Sequence, residues 1–342
     1  MMRRFLAVTV LVLAAAIAAR AQAVPVIFDT DMGNDVDDAL ALAMLHALQS
    51  RGECRLIAVT LTKDNPFAAP YVDLVNTFYG RAFLPVGAVK GSGITPENSR
   101  MIQAPCERRN ADGSPVYPRR LASGAEAPDA TALLRRVLAA EKDNSVVIVQ
   151  VGFSTNLARL LASPPDGASP LPGAELAARK VKLLSVMAGN FAEPKPEFNV
   201  QKDPASARKV FDEWPTPIVA SGFEIGLSML FPAARIAHDF AYVPDHPVAE
   251  AYTSYMPMPY DRPTWDLTAA LFAVRPDGGY FSLSPPGVIT SDPAGRTHFE
   301  PKPGGRHRYL LVNEGQRART LECMILLASQ PPGRPDGHVL KE

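Results

Sequence analysis

Short continuous apolar runs alternate with longer stretches of helical periodicity along most of the chain. The apolar runs fall at 24–28, 55–62, 84–89, 145–151, 181–187 and 218–221. Between them, apolar positions recurring every three or four residues predict helices over 37–49, about 68–80, 129–141, 155–162 and 204–213. A strand that is apolar at nearly every position is covered on both faces. Its regular alternation with helices predicts an α/β fold, an open, mostly parallel β-sheet flanked by helices. In such sheets, ligands bind beyond the carboxyl ends of the strands.

The pattern breaks in three places. A Pro/Gly/polar stretch over about 91–127 reads as a connection. After residue 275 the runs 278–283, 287–290 and 308–312 predict short antiparallel strands, a small β-rich C-terminal extension over 275–315, followed by a last helix. The segment 330–342 is Pro/Gly-rich and reads as a flexible tail. At the other end, Met1 to Arg4 is basic, 5–19 is apolar, and Ala21-Gln22-Ala23 forms a small-residue cleavage site. That is the pattern of a signal peptide over 1–23, and it predicts export to the periplasm or the exterior. What remains is one domain over 24–329.

Composition narrows the function classes. The chain has 342 residues, 47% hydrophobic and 20% charged, with a formal net charge of zero. Removal of the leader takes three arginines and no acids, leaving 32 basic against 35 acidic side chains. Neither balance fits a nucleic-acid partner or a polybasic membrane surface. No cysteine follows the leader's apolar run, so a lipid anchor is not indicated. Three cysteines exclude a disulfide scaffold and leave at least one thiol unpaired; pairing of the other two stays open. Cys54 and Cys323 lie among apolar neighbours and are expected in the core, and no Cys/His zinc spacing is present.

The most informative segment joins the first strand to the first helix. Asp29-Thr30-Asp31-Met32-Gly33-Asn34-Asp35-Val36-Asp37-Asp38 places five carboxylates within ten residues. Burying one unpaired carboxylate already costs several kcal/mol, and crowded like charges add to that. The apolar strand before the loop and the apolar helix after it argue against full solvation, so a divalent cation is expected. Capping of the helix accounts for Asp37 and Asp38, at about 0.3–1 kcal/mol each, but not for the other three. An EF-hand loop counted from Asp29 would need Gly and Glu where Asn34 and Leu40 stand. The opening Asp29-Thr30-Asp31 is also similar to that of Mg²⁺-dependent haloacid-dehalogenase-like phosphatases. Met32-Gly33 departs from their usual continuation, and no late Gly-Asp-Gly-x-x-Asn-Asp-like motif follows.

Four further segments, in chain order, carry a closer resemblance. They are Asp64-Asn65, Gly152-Phe153-Ser154-Thr155-Asn156-Leu157-Ala158, Met187-Ala188-Gly189-Asn190 with Glu197-Phe198-Asn199-Val200 and Asp203-Pro204, and Trp265-Asp266-Leu267-Thr268-Ala269. With the carboxylate loop, these resemble the calcium-dependent nucleoside hydrolases of the inosine–uridine type, over about Val24 to Val274. Asn34-Asp35-Val36 stands between Gly33 and Asp37, about two residues more than the usual family pattern has there.

The resemblance implies a Rossmann-like core and hydrolysis of the N-glycosidic bond of a ribonucleoside. It implies Ca²⁺ held by Asp31, Asp38, Asp266 and the Thr155 carbonyl. Asp31 would be the general base, with Asp35 the competing candidate across the insertion. Asp37, Asn65, Asn190, Glu197 and Asn199 would grip the ribose, and a homo-oligomer is implied as well. Read as residues alone, Asn65 and Asn156 also suit turns, and Thr155 a helix cap.

Trp265 stands where several members carry a His that protonates the leaving base. Indole N–H has no useful acidity, but its ring can stack on a base, worth ~1–3 kcal/mol in single-stranded nucleic-acid binding. The purine-preferring branch of the family also has Trp at this place, so the resemblance implies a purine nucleoside as the favoured substrate. The same substitution keeps open a sugar- or nucleoside-binding protein that retained the metal and lost the chemistry. His246 is the remaining candidate for a leaving-group acid, and His46 is expected to pack against the sheet.

Overall fold

The computed structural model describes residues 23–91 and 99–333. The expected leader, Ala23 apart, and the tail from 334 onward lie outside the described residues.

The first unit runs β1 (Val24–Thr30), α1 (Asp37–Ser50), β2 (Cys54–Leu61), α2 (Ala68–Phe78) and β3 (Val86–Ala88). The second runs α3 (Arg100–Glu107), α4 (Ala130–Ala140), β4 (Val146–Gln150), α5 (Thr155–Ala162), α6 (Gly173–Lys180), β5 (Val181–Met187), α7 (Phe198–Lys202), α8 (Pro204–Glu213) and β6 (Ile218–Ser221). There follow α9 (Phe223–Leu227), β7 (Leu230–Phe231), α10 (Ala233–Asp239), α11 (Pro247–Tyr255), β8 (Arg262–Pro263) and α12 (Trp265–Val274). The chain closes with β9 (Ser282–Leu283), β10 (Gly287–Ser291), β11 (Thr297–Pro301), β12 (His307–Leu311) and α13 (Glu314–Ala328).

Ten strands form one sheet, in the order β3-β2-β1-β4-β5-β6-β12-β10-β11 with β9 added on β12. From β3 to β12 the pairs are parallel, while β9, β10 and β11 pair antiparallel. The C-terminal extension therefore includes one strand that continues the parallel sheet. β12 aligns His307 with Ile218 and Tyr309 with Ala220; hydrophobic periodicity reports a strand but not its direction. Helix α3 lies in the stretch expected to be a connection. Its brevity and Pro105 mask a face formed by Met101, Ile102 and Cys106.

Alternation along β1 sends Val26 and Phe28 to one core with α1, α2 and α12, and Ile27 to a second with α4, α5 and α8. Helix α1 is buried from Asp37 through Leu48, and between its first turn and Leu48 every residue but His46 is apolar. A fully buried Leu or Phe side chain contributes about 1.5–3 kcal/mol, so this scaffold holds the strand ends and α1 firmly. The chain leaves β1 first for β2 and β3 on one side and later returns to β4 on the other. That reversal places a crevice beyond the carboxyl ends of β1 and β4.

Candidate active site

The loop after β1 is anchored from below. Asp29 is fully buried, and its Oδ1 accepts from Thr60 Oγ1 (2.6 Å) and Asn156 Nδ2 (2.8 Å). Burial pushes its carboxyl up to about 7. Thr30 Oγ1 donates to Asp38 Oδ1 and accepts from the Met32 N–H (3.0 Å). Gly33 takes φ +114°, and a Cβ there would stand 2.7 Å from Ile102 Cδ1, so the turn over α3 requires glycine. Gly152 lets the β4–α5 turn approach the loop, since a Cβ there would meet the Asp31 nitrogen at 2.5 Å.

Two helix starts then converge. Asp37 and Asp38 occupy the first turn of α1, and Asp266 the first turn of α12. Their carboxylate oxygens lie within 4.8 Å of one another, and all three residues are buried. The Asp266 N–H donates to Asp37 Oδ2 (3.0 Å). Desolvation first, and repulsion from neighbouring carboxylates after it, raise all three well above the ordinary carboxylate range. Desolvation also lifts Asp31, to about 6, against the opposing hydrogen bond from Asn34 Nδ2 and the charge of Lys63. Lys63 Nζ in turn donates to Asn34 Oδ1. A set of buried, mutually repelling carboxylate oxygens at two helix N-termini fits a hard divalent cation, which oxygen ligands hold and whose charge the cluster lacks.

These carboxylates line a cavity of about 370 Å³. Val151, Met187, Glu197 and Asn199 contribute a second part of the lining, beyond β4 and β5. Glu197 caps α7: Oε1 accepts from Asn199 N–H (3.0 Å), and Oε2 from Gly189 N–H (3.1 Å) and Val200 N–H (3.2 Å). Its burial outweighs these bonds and pushes the carboxyl up to about 7. Asn199 Nδ2 donates to the Val151 (2.7 Å) and Met187 (3.1 Å) carbonyls, which leaves Oδ1 as its acceptor toward a ligand.

The third part is aromatic. Trp265 stacks on Phe223 with centroids 5.4 Å apart, and its Nε1 donates to the Phe223 carbonyl (2.8 Å). Tyr255, Phe198 and Arg262 complete it.

The sequence profile of the inosine–uridine preferring nucleoside hydrolases matches residues 26–297. The chain belongs to this family. It is a hydrolase acting on N-glycosyl bonds. Solved structures of similar fold include a purine-preferring ribonucleoside hydrolase from Gardnerella vaginalis (TM-score 0.66, 18% identity, covering 90% of this chain and 99% of that one). A plant nucleoside hydrolase gives a TM-score of 0.63 at 20% identity over 90% and 99%. The inosine–uridine preferring hydrolase of Bacillus anthracis gives 0.62 at 19% over 89% and 99%. At these identities the likeness establishes the fold. No curated protein sequence matches the chain.

The structure places the expected site residues of this hydrolase unevenly. Asp31, Asp37, Asp38, Glu197, Asn199, Trp265 and Asp266 all line the cavity. Asp37, expected on the ribose, groups with Asp38 and Asp266, because consecutive residues of one helix turn share the α12 start; Asp31 stands outside that trio. Thr155 opens α5, its Oγ1 donating to Asp203 Oδ2 (2.5 Å), and is not part of the cavity lining. Asn65 also stands outside, its Oδ1 accepting from Phe67 N–H (2.7 Å) as a turn residue does. Asn190 accepts from the Ala192 and Glu193 N–H groups and lines a separate cavity with Phe191 and Tyr309.

His246 caps α11 away from the cavity, bonded to Val248 N–H and Tyr242 Oη. His46 bonds Asn76 and stacks on Tyr79. All three cysteines are free. Arg262, Tyr255, Phe223, Lys63 and Asn34 join the site without a signal of their own in the sequence, apart from the closeness of Arg262 to Trp265 and of Lys63 to Asn65 along the chain.

Proposed function

We propose that this hydrolase cleaves ribonucleosides, purine nucleosides in preference, in a Ca²⁺-dependent reaction, and acts outside the cytoplasm once its leader is removed. The observation that carries the reading is the buried Asp37–Asp38–Asp266 trio in a cavity that also holds an aromatic wall.

Cleavage of an N-riboside passes through a ribosyl cation, so the site needs a water, a grip on the sugar and a place for the base. Asp37, Asp38 and Asp266, with Asp31 beside them, would hold the calcium ion, which when bound supplies positive charge to the ribose hydroxyls and to the attacking water. Asp31, in the cavity lining beside the trio, would accept the proton of that water. Glu197, fixed by three backbone N–H groups, and Asn199 Oδ1 present acceptors to the remaining hydroxyls. The surrounding carboxylates favour a developing cation at the sugar. Trp265, Phe223 and Tyr255 give the base an apolar, polarizable surround.

Incubation of the mature protein with inosine, guanosine, adenosine and uridine in calcium tests this. Reducing sugar should appear fastest from the purine nucleosides. Equal or faster release from uridine would remove the purine preference, and no release from any would remove the substrate class. Recovery of chain starting at residue 24 from the medium or periplasm tests export.

A further inference from the structure

The departing base needs help that no histidine gives here, since none lines the cavity among the described residues. When the C1′–N bond breaks, its electron pair stays on the base nitrogen, and a base that leaves unprotonated needs a positive neighbour. Arg262 is the one cation among the described lining residues; the charged others are Asp31, Asp35, Asp37, Asp38, Glu197 and Asp266.

We propose that Arg262 stabilises the departing base and that Asp35 positions it; this rests on the reading that the cavity takes a nucleoside. Arg262 Nε donates to Asp35 Oδ1 (2.7 Å) and Nη2 to Asp35 Oδ2, a bidentate fork. Nη2 also reaches Tyr255 Oη (3.2 Å). The guanidinium lies 5.3 Å over the Trp265 ring and 5.0 Å over that of Tyr255. Nη1 bonds no described residue. The guanidinium is thus locked in orientation beside the aromatic surface that receives the base, with one donor arm open.

The pairing also accounts for Asp35, the member of the carboxylate loop that the inserted residues bring. It makes the pair neutral, so the lining stays strongly acidic.

The step balances without proton transfer from Arg262, which keeps its charge throughout. Water adds its oxygen to C1′ and gives a proton to Asp31. The C1′–N pair goes to the base nitrogen, where the anion is hydrogen-bonded by Nη1, and the free base then takes a proton from solvent.

Leaving-group dependence separates this role from a structural one. kcat/KM is measured on inosine and on p-nitrophenyl β-D-ribofuranoside, whose leaving group is a stable anion, for wild type, Arg262→Gln, Arg262→Lys and Asp35→Asn. Arg262→Gln should lose about 10²–10³-fold on inosine, as removal of an oxyanion donor does, and far less on the nitrophenyl riboside. Asp35→Asn and Arg262→Lys should show smaller losses with the same selectivity, and they carry the test if Arg262→Gln fails to fold. Equal losses on both substrates, or no loss on inosine, overturn the proposal while leaving the nucleoside reading intact. Wild-type protein that cleaves neither substrate overturns both.

Discussion

Removing one negative charge from the metal-free cluster should make the protein more stable. In Asp38→Asn the shape is kept, and Asn Oδ1 still accepts from Thr30 Oγ1. The oxygens of Asp37, Asp38 and Asp266 lie within 4.8 Å of one another. At that spacing two unit charges repel by about 3.5 kcal/mol at an effective dielectric near 20, so a fully ionised Asp38 would carry about 7 kcal/mol of repulsion. Proton uptake limits the cost. A carboxyl whose ordinary value is 3.8 need only bind a proton on folding, at about 1.4 kcal/mol per pH unit, or about 4 kcal/mol at pH 7. A gain of about 2–4 kcal/mol is therefore expected for Asp38→Asn in chelator, read by urea denaturation at pH 7. With calcium at 100 times Kd, wild type should gain about 2.7 kcal/mol and the variant much less. A variant less stable than wild type in chelator, or one that gains as much from calcium, would refute the reasoning.

Other expectations follow from the same geometry. Asp29 and Asp31, raised from 3.8 to about 7 and about 6, favour the folded chain when protonated. Metal-free stability should therefore be greatest below pH 4 as far as these groups are concerned and fall as pH rises to 7, by about 4 kcal/mol for Asp29 alone. Thermal melts in chelator across that range check this, and a rising profile would contradict it. Asp31→Ala should cut turnover of inosine by at least about 10²-fold, the usual worth of a general base, with little loss of stability. Should Asp35→Ala cost more turnover than Asp31→Ala, the assignment of the base across the insertion is wrong. His246→Gln should leave kcat within about twofold and lower stability by about 1–2 kcal/mol, because its bond from Val248 N–H is buried and that with Tyr242 partly so. A large fall in kcat would place His246 in the chemistry.

Much of the parallel core was legible because its signals are local. The runs at 181–187 and 218–221 and the helices at 155–162 and 204–213 coincide with β5, β6, α5 and α8. The carboxylate loop was legible for an electrostatic reason, since five acids between an apolar strand and an apolar helix call for charge compensation by protons or a cation. What escaped depended on contacts between distant parts of the chain. The parallel pairing of β12 with β6 joins segments far apart, and no periodicity announces it. Arg262 is ordinary in sequence, and its meaning comes only from Asp35, 227 residues away. Asn65 and Asn190, expected on the ribose, use Oδ1 to hold backbone N–H groups of their own turns, which leaves only their amide NH2 groups for a sugar. Residues that favour turns and residues that grip sugars are the same residue types, and spacing alone does not separate them.

The central claim is that the Asp37–Asp38–Asp266 cluster binds a divalent cation needed to hydrolyse an N-riboside. The most direct measurement is ribose release from inosine by chelator-stripped protein titrated back with calcium. Negligible release is expected in chelator, with saturable recovery as calcium is added. Full activity in chelator, or recovery unchanged in Asp38→Asn, would contradict it.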